Sequence, residues 1–274
     1  MLWLEGFPFF DRATQKQGKA VAYIFNDGGE NEIKEVFKKF GTKDGEVLLH
    51  CGAVPDRATE WLLQMVDTAG LRFVIVDTLQ RFFRFQNVND YGEVTNAMEA
   101  LLNGIQSRRC HVLFIHHAKK DSSDALDSAV GSTALRGLCY SFIHYRRLLG
   151  SEQRIIMTDQ RGGRNLPDSA IGFDARGWLQ ITGTLEDAEL ENMKHRVKEL
   201  LSVAEGPLSR NQIHSQMWPC RDFILINRAI KELYEAGDID RRGPGTSGHP
   251  FRYVLAEPSS VAKRALEIFG GRVV

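Results

Sequence analysis

Phe73-Val74-Ile75-Val76-Asp77-Thr78-Leu79 is an unbroken apolar run that ends in a carboxylate and a hydroxyl, and it decides the fold class. A strand without polar alternation suits a sheet covered by helices on both faces, the arrangement of parallel α/β proteins. In such folds ligands sit beyond the carboxyl ends of the strands. An aspartate there can hold the water shell of a magnesium ion beside nucleotide phosphates. Read alone, the same residues equally describe an aspartate capping the next turn.

Two further runs extend the pattern. His111-Val112-Leu113-Phe114-Ile115 leads into His116-His117-Ala118-Lys119-Lys120, and an imidazole at that tip can hydrogen-bond a γ-phosphate or the attacking water. Ala22-Tyr23-Ile24-Phe25-Asn26-Asp27 ends in a carboxylate able to polarise that water, or in a turn aspartate ahead of Gly28-Gly29. Short apolar runs alternate with helical periodicity along the first two thirds of the chain, the signature of strands joined by crossover helices. Strands are predicted at Ala20–Phe25, Val47–His50, Leu71–Val76, Cys110–His116, Tyr140–Leu148 and Arg154–Thr158, with helices at Glu30–Phe40, Arg57–Ala69 and Tyr91–Arg108. The runs at 72–76 and 111–115 are expected at the centre of the core. Gly131-Ser132-Thr133 reads as a loop after the acidic, polar stretch Asp121–Ser128. Arg161, in the glycine-flexed Gln160–Arg164 segment, has the reach of an arginine finger, although exposed arginines are ordinarily only solvated charge.

The 35 Lys and Arg balance the 35 Asp and Glu, so no whole-chain basic field announces nucleic acid and any such surface is local. Cys51, Cys110, Cys139 and Cys220 are scattered with no C-x-x-C pair, which suits a reducing cytoplasm and argues against a zinc knuckle. No apolar run approaches the about 18 residues of a membrane span, and the start lacks the pattern of a secretory signal.

The rhythm changes near Thr184–Glu191, read as an acidic, helix-favouring linker, and the domains are expected at 1–187, 188–257 and a tail, 258–274. Helices are predicted at Asn192–Ala204, Ser209–Met217 with Ser209 as N-cap, and Asp222–Ala236 with Gly237 as stop. Two short strands, Asp238–Arg241 and Arg252–Leu255, flank the Gly243–Pro250 loop. This order resembles the winged helix-turn-helix module. By that resemblance the third helix would enter a major groove with Arg221, Asn227, Arg228 and Lys231, while Arg241, Arg242, Arg252 and His249 would reach phosphates from the wing. Many modules of this plan dock proteins instead.

The motifs of the first part resemble the RepA-like hexameric helicase branch of the RecA superfamily, the AAA-domain ATPases of plasmids and phages, over roughly Gly6 to Ile181. Pro8-Phe9-Phe10 and Gly18–Asp27 are similar to that family's segment before its second strand. Phe73–Phe82 resembles its Walker B strand, Phe114–Lys120 its histidine sensor, and Gly131–Leu135 its Gly-Ser-Ser/Thr loop. The resemblance implies an α/β, RecA-like P-loop NTPase core binding ATP and Mg2+. Asp77 would hold magnesium through water beside Thr78. Asp27 would stand where the family has a catalytic glutamate one methylene longer. His117, or else His116, would sense the γ-phosphate, Gly131 and Ser132 would approach the nucleotide, and Arg161 would act in trans in a ring, a hexamer by family precedent. No G-x-x-x-x-G-K-[ST] occurs in the 274 residues. The expectation is therefore a core starting inside its family's fold, its first strand and phosphate loop ahead of Met1, with little activity of its own and an exposed apolar sheet edge. The function expected is that of a DNA-associated ATPase of this helicase type in plasmid or phage replication or recombination. The rival is a non-enzymatic DNA-binding regulator that uses a degenerate core to oligomerise. A third possibility is a mediator docking onto a complete ATPase subunit.

Overall fold

A computed structural model describes residues 21–43, 45–117, 133–148, 151–175, 177–217 and 222–256. The predictions for Met1–Glu5, Gly18-Lys19, Gly131, Ser132, Arg221 and 258–274 lie outside the described residues. The chain divides into two units, residues 1–144 with 159–164, and 145–158 with 165–274.

The first unit is built on a parallel sheet in the order β2-β1-β3-β4, made of Val47–Cys51, Val21–Phe25, Phe73–Asp77 and His111–Ile115 respectively. The α/β class with a parallel sheet is borne out. α1 (Glu30–Lys39) carries glutamates in its first turn and lysines in its last, complementing the helix dipole. α2 (Ala58–Ala69) places Ala58, Leu62 and Val66 on one face and stops at Gly70, which takes the left-handed conformation that glycine adopts without strain. α3 (Leu79–Phe83) follows β3 directly. α4 (Tyr91–Arg108) starts on the Asp90 carboxylate, which accepts the Glu93 N–H, and buries Val94, Met98, Leu101 and Ile105. Ala22, Ile24, Val74 and Val76 of the sheet pack with Leu62, Val66, Leu101 and Ile105 in the main core. On the other face Tyr23 meets Phe37 of α1 edge to face, ring centroids 5.4 Å apart.

Two expectations need correction. β3 is central, but β4 is an end strand among the described residues, and Leu113 is 38% exposed. The segments near 140–148 and 154–158 do not continue the parallel sheet. β5 (Ser141–Arg147) and β6 (Arg154–Gln160) belong to a separate sheet, β5-β6-β7-β8, completed by Ser169–Phe173 and Leu179–Thr184, with β6–β7 and β7–β8 antiparallel. β7 and β8 were not foreseen. Between β4 and β5 lies α5 (Thr133–Leu138).

In the second unit the acidic, helix-favouring stretch after Thr184 is helical. Thr184 ends β8 and caps α6 (Leu185–Val203) by accepting the Asp187 N–H, so the glutamates and aspartate there are its first turns. α7 (Arg210–Gln216) begins with a capping box between Ser209 and Gln212. α8 (Phe223–Ala236) runs from its Asp222 cap to a left-handed Gly237. β9 (Leu208–Ser209), β10 (Ile239–Arg242) and β11 (Arg252–Leu255) pair in the order β10-β11-β9. Val197, Leu201, Ile213, Ile226, Ile230, Leu233 and Ile239 form the core.

Candidate functional site

Parallel pairing brings the strand tips to one edge. Phe25 is opposite Asp77 and Asp77 opposite Ile115, so Asn26-Asp27, Asp77-Thr78 and His116-His117 emerge side by side. Asn26 ties the first two tips together. Its backbone N–H donates to the Asp77 carbonyl at 2.8 Å, its side-chain Oδ1 accepts the Thr78 N–H at 2.7 Å, and its Nδ2 donates to the Thr78 carbonyl at 3.3 Å. The Asp77–Thr78 peptide is cis. The Tyr23 hydroxyl donates to Asp77 Oδ2 at 2.9 Å, and burial together with that carboxylate pushes the phenol's pKa up.

A cleft of about 580 Å³ opens at this edge, lined by Asn26, Asp27, Thr78, Arg81, Arg84 and His117 among others. Among the described residues Asp27 is its only carboxylate. Arg81 Nη2 lies 2.7 Å from Asp27 Oδ1, and His117 Nε2 lies 3.8 Å from Oδ2, so each carboxylate oxygen faces a different basic group. Arg84 is held by the Val54 carbonyl at 2.7 Å and by Asp56. His116 is half-buried, and burial, then the neighbouring His117, lowers its pKa. Asp77 does not line the cleft; its carboxylate turns toward Tyr23.

The structure therefore collects Asp27, Thr78 and His117 in one cleft, with Asp77 on the adjoining tip. Arg161 lies elsewhere in the first unit. Its guanidinium donates to the Gly137 carbonyl at 2.5 Å and the Arg136 carbonyl at 3.2 Å, beside the Tyr140 ring. Sequence reasoning missed Tyr23, Asn26, Arg81 and Arg84. Arg81 stood inside the quoted Walker-B-like stretch, but only the β1–β3 register shows that it meets Asp27.

Residues 1–123 match the family model of the AAA domain. The matched stretch contains all four parallel strands and Asp27, Asp77, His116 and His117. No curated protein matches the chain. Among solved structures, the crystal structure of the RadB recombinase is similar at 18% identity and a TM-score of 0.45, over 60% of this chain and 80% of its own. No described helix is long and apolar enough to cross a membrane.

In the second unit the candidate DNA contacts separate into two groups. On α8, Arg228 pairs with Glu186 at 2.5 Å and with Glu232 at 3.1 Å, Lys231 lies 3.8 Å from Glu235, and Asn227 buries its Oδ1. On the β10–β11 hairpin, Arg241 is packed between the Tyr234 and Phe251 rings, 4.4 and 4.5 Å from their centroids. Arg242 and Arg252 face each other across the ladder, and neither has a carboxylate partner among the described residues.

Proposed function

We propose that the parallel-sheet unit is the hydrolytic part of a RecA-type ATPase of the RepA-like helicase branch, acting on DNA in plasmid or phage replication or recombination. The observation that carries this reading is the convergence of Asp27, Asp77-Thr78 and His117 on three neighbouring strand tips. Asp27 would take a proton from the attacking water, and His117 would contact the terminal phosphate. The site fits magnesium. Among the described residues no cluster of three or more acidic, His or Cys groups forms a cage, and magnesium needs only one or two carboxylates, with waters and phosphate oxygens completing its shell. Asp77, one of whose oxygens already accepts from Tyr23, would hold it through water. Bound magnesium would neutralise phosphate charge. Thr78, Gly131 and Ser132 complete the nucleotide contacts in this reading, and His116 supports the strand tip.

The second unit would contact DNA as a winged helix. Two arginines directly opposed on a hairpin repel each other, and phosphates would relieve that repulsion. Arg242 and Arg252 are the leading contacts, with Arg221, Arg228, Lys231, Asn227 and Arg241 supporting. The assembly would be a homo-oligomeric ring, a hexamer by family precedent, with Arg161 acting across subunits. A non-enzymatic DNA-binding regulator is the second reading. It is favoured by the carbonyls of the same chain that already hold the Arg161 guanidinium.

Calorimetric titration of magnesium-ATP into the chain and into Asp77→Asn tests the primary reading. Binding that Asp77→Asn weakens about tenfold or more, the loss of about 1.4 kcal/mol, supports it. Equal binding by both removes Asp77 from the site.

A further inference from the structure

We propose that Arg81 is a latch for the cleft, paired with Asp27 when no anion is present and transferred to phosphate oxygens when a polyphosphate enters. The proposal rests on reading the cleft as a nucleotide site and names the group that couples its filling to release of Asp27.

Among the described residues three cationic or basic side chains line the cleft, Arg81, Arg84 and His117, against one carboxylate, Asp27. The surplus suits an anion. The two arginines are not equally free to bind it. Arg84 is held by its part-buried hydrogen bond to the Val54 carbonyl at 2.7 Å, its pair with Asp56 being open to water. Arg81 holds Asp27 at 2.7 Å and reaches the Asn26 carbonyl only at 3.4 Å, with its side chain 61% exposed. A pair so open to water is weakly held, because solvent screens it and both side chains lose freedom in forming it. A polyphosphate offers several charges and paired oxygens to the planar guanidinium fork and is the stronger partner. Asp27 is half-exposed and loses its charged partner when Arg81 turns away. One oxygen then faces His117 and the other faces the cleft, where it can accept a proton from water.

The test is titration of magnesium-free sodium tripolyphosphate, and separately ATP, into the full chain, Arg81→Gln, Asp27→Asn and the double variant. Arg81→Gln is expected to weaken tripolyphosphate about tenfold, and Asp27→Asn to tighten it about fivefold, the equivalent of about 1 kcal/mol, by releasing the arginine. In the Arg81→Gln background the gain from Asp27→Asn should shrink to less than about twofold. A gain of the same size in both backgrounds would mean that Asp27 merely repels anions, and the latch would be wrong. Tripolyphosphate binding that depends on Arg81 while ATP fails to bind would keep the latch and remove the nucleotide reading. ATP binding that Arg81→Gln leaves unchanged would do the reverse. If neither ligand binds, the latch is overturned.

Discussion

His116 and His117 are indistinguishable as neighbours in sequence, yet the fold gives them opposite environments. His117 faces the cleft and Asp27, whereas His116 is half-buried with its pKa lowered by desolvation and by His117. A lowered histidine binds fewer protons folded than unfolded. Its contribution to stability is therefore complete above the unfolded value of about 6.5 and is lost as pH falls through that value toward the folded one. The melting temperature of the chain should fall between pH 7.5 and 5.5 more steeply than that of His116→Asn. Parallel curves would assign that loss to other histidines. The carboxylates of the site were legible because each ended an apolar run. Tyr23, Asn26 and Arg81 were not, because their roles come from residues more than fifty positions away, through the pairing of β1 with β3.

Helix bounds were read to within a residue or so both where a side chain caps the end, as in α7 and α8, and where periodicity alone marked the helix, as in α1 and α2. Ser209, Asp222 and Gly237 each mark a helix end, and the structure starts and stops α7 and α8 at those positions. Ser209→Ala removes the acceptor of the Gln212 N–H and should destabilise the chain by about 1 kcal/mol in urea denaturation, whereas Ser209→Asp should retain most of that stability. Thr184 caps α6, and the acidic run behind it, read as a helix-favouring linker, forms that helix's first turns, where the helix dipole favours acidic residues. β7 escaped notice because Ser169-Ala170-Ile171-Gly172-Phe173 is short and contains glycine, and its pairing with β8 is interrupted by a register shift at Ala170/Ile171.

Over the whole molecule the balance of charge is zero, and local pairing decides which cations remain for a polyanion. The exposed face of α8 is laced by Arg228, Lys194 and Lys231 with Glu186, Glu191, Glu232 and Glu235, while Arg242 and Arg252 are opposed with no acidic partner among the described residues. In anisotropy titrations of duplex DNA between about 50 and 200 mM salt, Arg242→Ala should reduce the slope of log affinity against log salt by about 1. Arg228→Ala, a supporting contact already neutralised by Glu186 and Glu232, should reduce that slope by clearly less than Arg242→Ala does. An unchanged slope for Arg242→Ala would remove the hairpin from the interface.

The sequence alone determined which segments are strands and helices over most of the chain, and that three strand tips carry chemistry, because periodicity, caps and terminal carboxylates are local properties. Tertiary structure decided what sits beside what. Register placed Arg81 on Asp27 and Asn26 between two tips, strand order put β4 at the end of the sheet among the described residues, and long-range ion pairs engaged Arg228. These are relations between residues far apart in the chain, and they exist only once the strands pair and the helices pack over them.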